Sequence, residues 1–334
     1  MSVYIQSIEF DLPVGILTNE EIASGSASWT AEKILSKTGI HTRHVAAENE
    51  CASDFAARAA EKVLAKFDRS KVDYLIYCTQ SPDYLLPTTA CIIQDRLGLS
   101  TNCGTLDINL GCSGYIYGLG LARALIESSQ ASSVLFLTGD TYTKYINPKD
   151  NSVRTLFGDA GTATLLGKLG GIAELRDPFV YGTDGKGAGN LIVKNGGARH
   201  AFNPTSDDIV DGTGNVHTDN NLYMNGAEIF SFTSTSVPKL VKSMLEKSGR
   251  TDEDIDLYIF HQANSFMLKH LQRMIKIPTE KFFIDMEDCG NTVSSTIPIA
   301  LCKAQASGRL TRGMNVMVVG FGVGYSWGAT IIEW

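Results

Sequence analysis

Basic residues are scarce in this sequence: 29 Lys and Arg residues stand against 36 Asp and Glu residues, which gives a formal net charge of -7. Affinity for nucleic acid depends largely on positive charge that neutralises phosphates. The composition therefore predicts no nucleic-acid partner. Histidine is scarce as well, and the six that are present lack the spacing of metal ligands, so no metal site is predicted.

Paired cysteines are absent. The seven cysteines make an odd number and none belongs to a CxxC motif, which predicts reduced thiols and a cytoplasmic location. The N-terminal stretch has no cationic start before an apolar core, so no secretory signal is predicted. Residues 313–332 are uncharged and long enough to cross a bilayer as a helix. Their five glycines and β-branched residues favour two buried strands around a glycine turn instead, so we expect no membrane partner.

A long-range repeat is the main feature that the chain does contain. Residues 72–81 and 255–264 are each an apolar run opened by Asp and closed by polar residues. Residues 105–114 and 283–292 are each a short apolar run, followed by a glycine-containing bend and a helical pattern. This order predicts right-handed βαβ units in a mostly parallel sheet, and hence a duplicated α/β fold.

We expect the first half to span residues 1–175 and the second half to span residues 176–334. The interval 182–221 is rich in Gly, Asn and Asp and is predicted to be an excursion between them. Apolar residues at helical spacing over 115–126 predict one helix, and a similar stripe over 297–304 predicts another.

Cys112, His261 and Asn291 all follow predicted strands. Ligands of open α/β sheets bind outside the carboxyl ends of the strands, so these side chains are expected in one cleft. Cys112 also lies where a helix begins, and the helix dipole is expected to lower its thiol pKa. Taken singly, such residues are more often a small buried hydrophobe, a core histidine and a turn residue. Together they can hold an acyl group on sulfur and stabilise an enolate oxygen with two neutral donors.

Three motifs carry a family resemblance. DINLGCSGYIYGL, YIFHQAN and GNTVSSTIPIAL, in this order, resemble the active-site motifs of the β-ketoacyl-acyl-carrier-protein synthase III family, within the thiolase superfamily. Supporting matches such as LFGDAGTATLL and GFGVGYSWGA extend the resemblance over essentially the whole chain. It implies a thiolase-like α/β fold, with duplicated halves in a five-layered αβαβα arrangement, and a homodimer.

The resemblance also implies a two-stage reaction. Cys112 attacks an acyl thioester, and the backbone N–H groups of Cys112 and Val323 form the oxyanion hole. A malonyl thioester then faces His261 and Asn291 and loses CO₂, and the resulting enolate attacks the acyl-cysteine. An acyltransferase of the β-ketoacyl synthase III type is therefore expected, in fatty-acid initiation or in specialised-metabolite (polyketide) biosynthesis. No cofactor is implied, since acyl-coenzyme A or acyl-carrier-protein and malonyl thioesters are the substrates.

Further residues are implied to contact substrate, namely Leu86, Leu156, Gly226, Phe230 and Asn264. Leu86 stands where many relatives carry a phenylalanine that reaches across the dimer into the partner's acyl pocket. The smaller side chain is expected to admit a longer or branched acyl group.

The chain departs from the family pattern where coenzyme A would bind. Lys33 and Lys37 occupy the family's Trp and Arg positions, and Asn151 occupies the position of another expected arginine. Two contacts to the nucleotide end of coenzyme A are therefore not expected in their usual form. Either coenzyme A binds differently, with Trp29 as a substitute ring, or the priming acyl group arrives on a carrier protein.

A second departure concerns the carrier protein. Phe266 replaces an arginine that commonly faces it, and a basic group follows, consisting of Lys269, His270, Arg273, Lys276 and Lys281. This group is either a substitute docking patch for the acidic carrier or an ordinary solvated helix face.

Two other functions compete with condensation. In the first, Cys112 passes its acyl group to an amine or hydroxyl without decarboxylation. Asn291 argues against this function, because an amide can donate to an enolate but cannot deprotonate an acceptor. In the second, the chain is a non-catalytic subunit of a heteromeric condensing enzyme, and the intact thiol, imidazole and amide set argues against that.

Overall fold

The computed structural model describes residues 2–24 and 29–334. The strands within them are β1 (Tyr4–Asp11), β2 (Gly15–Thr18), β3 (Thr42–Val45), β4 (Tyr74–Cys78), β5 (Gly104–Ile108), β6 (Ser133–Asp140), β7 (Ala160–Gly167), β8 (Ala173–Glu174), β9 (Val180–Thr183), β10 (Leu191–Ile192), β11 (Ile209–Val210), β12 (Val216–His217), β13 (Tyr223–Met224), β14 (Leu257–Phe260), β15 (Phe282–Phe283), β16 (Asn315–Gly322) and β17 (Ser326–Glu333). The α-helices within them are α1 (Asn19–Ser24), α2 (Ala31–Thr38), α3 (Ala52–Leu64), α4 (Thr89–Arg96), α5 (Gly114–Glu127), α6 (Asn151–Arg154), α7 (Gly226–Ser248), α8 (Ser265–Ile275) and α9 (Thr296–Ala306).

An 11-stranded sheet follows the order β15-β14-β16-β17-β8-β1-β7-β6-β4-β5, with β9 also paired to β17. Its two halves repeat one pattern. In the first half, β4 is parallel to β5 and β6, while β7 is antiparallel to β6 and β1. In the second half, β14 is parallel to β15 and β16, while β17 is antiparallel to β16 and β8. Each half therefore has the same strand order and the same directions.

The prediction of a mostly parallel sheet is confirmed by strand direction, because four of the five strands in each half run the same way and only β7 and β17 are reversed. β16 ends at Gly322 and β17 begins at Ser326, and so short a connection can join only antiparallel strands. β7 takes the matching place in the first half and also runs antiparallel to its neighbour. The parallel pairs are β4 with β5 and β6 and β14 with β15 and β16, and they lie toward the two ends of the strand order. The candidate residues follow these strands.

Helices α5 and α9 form the middle one of five layers. α5 packs on β4 and β6 of the first half and on β16 and β17 of the second, while α9 packs on β1 and β14. α3 and α4 cover the outer face of the first half, and α7 and α8 cover that of the second. The layers are therefore helix, sheet, helix, sheet and helix.

Both predicted apolar stripes lie on these central helices. Leu119 and Ile126 are buried on α5, and Ile297 and Leu301 are buried on α9. A sheet covers each helix on two sides, so apolar residues also occupy positions outside the stripes. Full burial of each Leu or Ile side chain stabilises the fold by roughly 1.5–3 kcal/mol. The central layer thus fixes the position of the segments that precede α5 and α9.

Residues 313–332 form two buried strands, which confirms the prediction for this segment. β16 and β17 pair antiparallel, with Val319 opposite Ala329. In the described part of the chain, no helix has both the length and the apolar character needed to span a membrane. The polar interval 182–221 contains the short strands β10, β11 and β12, and Leu191 of β10 is buried beside Cys112.

Candidate active site

Cys112 lies in the bend between β5 and α5. Its side chain is only 4% exposed. The Gly114 N–H donates to the Gly111 oxygen at 2.7 Å, which closes the bend just before the helix. Strand β16 approaches closely on the other side: a Cβ on Gly322 would lie 2.9 Å from the Cys112 sulfur. Glycine is therefore required at position 322 for the strand to reach the sulfur.

Burial raises the pKa of the Cys112 thiol to about 12, and the nearby Asp140 carboxyl adds to the increase. The backbone N–H groups of Cys112 and Val323 act in the opposite direction and lower the pKa. The expectation of a lowered thiol pKa was therefore wrong, because desolvation outweighs the donors at the helix start. The resting thiol is protonated at neutral pH. Any acyl transfer to this sulfur must remove the thiol proton as the bond forms.

His261 directly follows β14 and is almost fully buried. Its backbone N–H donates to the Val319 oxygen at 2.8 Å, which extends the ladder between β14 and β16. Burial lowers the pKa of its ring to about 3, so the imidazole is neutral at physiological pH. Its Nδ1 atom lies 2.7 Å from the Thr296 hydroxyl oxygen. When that hydroxyl donates to Nδ1, the single ring proton is on Nε2.

The Thr296 hydroxyl also lies 3.1 Å from the Val293 oxygen, to which it can donate instead. A hydroxyl has one proton, so the two acceptors compete for it. Donation to Val293 would leave the ring proton of His261 on Nδ1 and an acceptor on Nε2. Thr296 is thus placed to decide which tautomer of His261 is present.

Asn291 lies in the bend that precedes α9, and hydrogen bonds to its backbone and to its side chain hold it in position. Its N–H donates to the Leu156 oxygen at 2.9 Å, and its carbonyl accepts from the Gly158 N–H at 3.1 Å. The side-chain oxygen Oδ1 accepts from the Val293 N–H at 3.0 Å. The amide oxygen is therefore engaged within the bend, and the Nδ2 group is the part left to serve the cavity.

Cys112, His261 and Asn291 line one cavity of about 100 Å³. The rest of its lining is mainly apolar and consists of Leu156, Phe157, Leu191, Met224, Gly226, Ile229, Thr233, Ala263, Asn264, Met267, Phe321 and Gly322. A neutral ring, an amide NH₂ group and a thiol thus share a small and largely apolar space. Such surroundings strengthen hydrogen bonds to developing charge. The arrangement can stabilise an oxyanion without a cation.

Three of the residues expected to contact substrate lie in this lining, namely Leu156, Gly226 and Asn264. The other two lie elsewhere. Phe230 of α7 is not part of the cavity lining. Its ring centre lies 4.6 Å from that of His270 on α8, in the outer helical layer. Leu86 is 86% exposed in the segment between β4 and α4.

A second cavity of about 270 Å³ adjoins the first and shares Leu191 with it. Gln80, Asn109 and Tyr142 contribute the polar groups of its lining, together with Tyr145. The sequence analysis missed the first three. Each of them follows the end of a strand, β4, β5 or β6, so the rule that located Cys112 could also have located them.

On the surface near α2 and α8, several residues that the sequence suggested for binding coenzyme A or the carrier protein contact other residues of the chain. The Lys33 ammonium group lies 5.1 Å from the centre of the Trp29 ring, and the Lys37 ammonium group lies 5.0 Å from it. Both therefore form cation–π contacts with this ring. In the basic group, Lys281 donates to the Ile255 oxygen at 2.7 Å, and His270 lies 3.1 Å from the Ser234 hydroxyl. The exposed cations that remain are Lys269, Arg273 and Lys276.

The chain matches a known protein family and is similar to curated proteins and solved structures over almost its whole length. A family model for 3-oxoacyl-[acyl-carrier-protein (ACP)] synthase III matches residues 106–185, and the model for the C-terminal part of that synthase matches residues 245–334. The β-ketoacyl-[acyl-carrier-protein] synthase III of Caldanaerobacter subterraneus subsp. tengcongensis is 34% identical over 328 residues, covering 97% of this chain and 95% of the relative. That of Syntrophomonas wolfei is 32% identical, covering 100% and 98%.

Solved structures give the same result. A crystal structure of a 3-oxoacyl-(acyl-carrier-protein) synthase III aligns with a TM-score of 0.97 at 50% identity and covers 100% of both chains. The β-ketoacyl-[acyl carrier protein] synthase III from Thermus thermophilus aligns with a TM-score of 0.86 at 34% identity, covering 99% of this chain and 98% of that one. The priming β-ketosynthase of the R1128 polyketide pathway also aligns with a TM-score of 0.86, at 26% identity, covering 98% and 95%.

Proposed function

This chain belongs to the β-ketoacyl-acyl-carrier-protein synthase III family of thiolase-fold condensing enzymes, and we propose that it forms its β-ketoacyl thioester in two stages through Cys112, His261 and Asn291. The observation that carries this assignment is the direction of the donors in the cavity of about 100 Å³. The Val293 N–H engages the side-chain oxygen of Asn291, and the Thr296 hydroxyl lies 2.7 Å from Nδ1 of His261, where its donation places the ring proton on Nε2. With that donation, two neutral N–H groups are left for one substrate oxygen.

In the first stage, the Cys112 sulfur attacks the carbonyl carbon of an acyl thioester. The backbone N–H groups of Cys112 and Val323, both of which lower the pKa of this thiol, receive the oxyanion. Removal of one such donor typically costs about 3 kcal/mol of transition-state stabilisation. The tetrahedral intermediate collapses with loss of the donor's thiolate, which takes up the proton that the Cys112 thiol released. The products are an acyl-enzyme and a free thiol.

In the second stage, a malonyl thioester places its carbonyl oxygen between His261 Nε2 and Asn291 Nδ2. Loss of CO₂ leaves the electron pair on the enolate, whose oxygen both N–H groups stabilise. The enolate carbon then attacks the acyl carbon on Cys112, and the sulfur leaves as a thiolate that recovers a proton. Because the pKa of His261 is about 3, the ring acts as a neutral donor and not as an imidazolium. No resident cofactor is required by this chemistry.

We propose a homodimer built on strand β5. Among the residues that the structure describes, this strand pairs only with β4 and lies at the edge of the sheet. Its Leu106 is partly exposed, and the exposed apolar residues Tyr84, Leu85 and Leu86 lie in the segment before α4. An exposed sheet edge flanked by apolar side chains favours pairing with a second copy. Leu86 would then reach the partner's acyl cavity, and analytical ultracentrifugation of the wild type beside Leu106→Glu tests this assembly.

We also propose that the malonyl group is delivered by an acyl carrier protein, docked on Lys269, Arg273 and Lys276. These exposed cations stand on or beside α8, which begins next to the cavity-lining Asn264. Carrier proteins that are acidic would gain association rate from such a patch on an otherwise acidic protein. Reversing the three charges should lower kcat/KM for the carrier-bound substrate more than for the coenzyme A ester.

The central test is intact-protein mass spectrometry after incubation with a panel of acyl thioesters, beside a Cys112→Ala control. The wild type should gain the mass of one acyl group, and the control should gain none. Malonyl thioester is then added to the acylated enzyme, and CO₂ and the β-keto product are measured. Acylation that persists in the control would overturn the nucleophile assignment. Acyl transfer to an added amine without CO₂ release would favour the simple acyltransferase.

A further inference from the structure

The second cavity offers room for the acyl group that Cys112 carries. It shares Leu191 with the Cys112 cavity, and its lining includes Val323, whose backbone N–H lowers the pKa of the Cys112 thiol. Gln80 also belongs to its lining, and a Cβ on Gly111 would lie 2.6 Å from the Gln80 Oε1 atom. The polar part of this cavity thus begins beside the residue that precedes the nucleophile.

A short hydrogen-bond chain crosses the lining. The Tyr142 hydroxyl donates to Gln80 Oε1 at 2.6 Å, and Gln80 Nε2 donates to Asn109 Oδ1 at 3.0 Å. Both amide oxygens are engaged as acceptors, so the chain has a fixed direction. The Nδ2 group of Asn109 stands at its end, and it has no protein partner among the described residues. This hydrogen-bond chain therefore ends in N–H donors that can bind an acceptor atom of a ligand.

The remaining lining defines which acceptor fits. Leu191, Ile192, Val193, Leu222 and Val323 are apolar, and no Lys, Arg or His belongs to the lining within the described ranges. A carboxylate held against these side chains would give up part of its solvation and gain no counter-charge, which is costly. A neutral oxygen would pair with the N–H donors without that cost.

We infer that the second cavity selects a priming acyl group with a neutral acceptor oxygen beyond its thioester carbonyl, as in short oxoacyl or hydroxyacyl groups. The inference rests on the proposed function, because it takes Cys112 as the residue that carries the acyl group. It assigns the choice of substrate class to the chain of Tyr142, Gln80 and Asn109. The apolar side chains around this chain hold the carbon skeleton.

The test compares matched coenzyme A esters: pentanoyl, 3-oxopentanoyl, 4-oxopentanoyl and glutaryl. The second-order rate of Cys112 acylation is followed by intact-protein mass spectrometry. At least one oxo ester should react about threefold faster than pentanoyl, as one hydrogen bond to the exposed Asn109 allows, and glutaryl should react more slowly than that oxo ester. Asn109→Leu, which removes the terminal donors, should abolish the advantage.

Two further variants keep the result interpretable. Asn109→Asp retains the size of the side chain and replaces both donors with acceptors, so it should also lose the advantage. Asn102→Leu makes the same change as the first variant at an exposed position before β5 and should retain it. Equal rates for pentanoyl and both oxo esters, a faster glutaryl ester, or an advantage that survives in both Asn109 variants would overturn the inference and leave the proposed function intact. Failure of Cys112 to be acylated by any thioester, whether coenzyme A-bound or carrier-bound, would remove both.

Discussion

The two halves of the molecule use equivalent backbone positions differently. Cys78 and His261 each stand five residues after the aspartate that opens β4 or β14. The Cys78 sulfur is buried against α5, lies 3.1 Å from the Leu110 oxygen, and leaves no room for a Cβ on Gly114. His261 instead lines the cavity. The same position is therefore part of the core in the first half and part of the site in the second.

The bends before α5 and α9 differ less. Cys112 follows Gly111, Asn291 follows Gly290, and both side chains line the cavity. Both residues of the pair Cys112 and Asn291 therefore line the cavity, whereas in the pair Cys78 and His261 only the histidine does so. The duplicated fold therefore provides equivalent backbone positions in both halves, and the packing of each half determines which of these positions line the cavity.

The largest expected effect separates the two thiols. Cys112→Ala should lower condensation by about 10⁴-fold or more, because the nucleophile is lost. Decarboxylation of malonyl thioester should persist, since His261 and Asn291 remain. Cys78→Ala removes a thiol of the same type from the equivalent position of His261, and it should keep acylation. Mass spectrometry and CO₂ release measure both, and a Cys78→Ala enzyme that cannot be acylated would break the comparison.

The second effect tests what Asn291 supplies. Asn291→Asp retains an oxygen for the Val293 N–H and removes both Nδ2 donors. Condensation should therefore fall by roughly 10²–10³-fold, while acylation of Cys112 should fall far less. Single-turnover assays measure the two stages separately. Condensation at the wild-type rate would mean that Asn291 merely shapes its bend.

Much of this site could be predicted from the sequence, and the reasons are local. Cys112, His261 and Asn291 each follow a strand whose apolar run is visible, and parallel neighbours bring such ends together. The stripes of α5 and α9 were visible because each helix repeats its apolar residues at helical spacing. These features depend on residues close to one another in the chain.

Other features depend on packing between distant segments. The raised pKa of Cys112 comes from burial between β16 and α5, which no local pattern records. The direction of β17 depends on the short connection after Gly322, and the placement of Phe230 depends on α8. Gln80 and Asn109 were missed because polar residues after strands are common, and only the shared cavity singles these two out.

The third effect concerns pH and the buried ring of His261. Its folded pKa is about 3, below the ordinary value of 6.5, so the unfolded chain takes up a proton that the folded chain does not. Stability should therefore fall as the pH decreases through the ordinary value. Between pH 7 and pH 5 the loss due to this group is about 2 kcal/mol.

The matched protein for this measurement is His261→Gln, which has no ionisable group at that position. Burial raises the pKa of Asp140 to about 7, which acts in the opposite direction, but that carboxyl is present in both proteins and cancels in the difference. Denaturant unfolding at both pH values should show the larger loss in the wild type. Equal losses would mean that the ring can be protonated in the folded protein.

The smallest effect concerns Thr296, which touches His261 and not the substrate. Thr296→Val retains the shape of the side chain and removes the hydroxyl 2.7 Å from Nδ1. The tautomer with the proton on Nε2 then loses its support, and condensation should fall about tenfold, the value of one hydrogen bond. Nitrogen NMR of the labelled ring should show more of the Nδ1-protonated form.

Thr296→Ser provides the control, because it restores the hydroxyl within a slightly smaller side chain. It should recover most of the condensation rate and the wild-type tautomer. A structural role alone would leave the ring nitrogens unchanged in both variants. If Thr296→Val condenses as fast as the wild type, Nε2 carries its proton without help from the first turn of α9, and the second half of the molecule positions its donors through β14 alone.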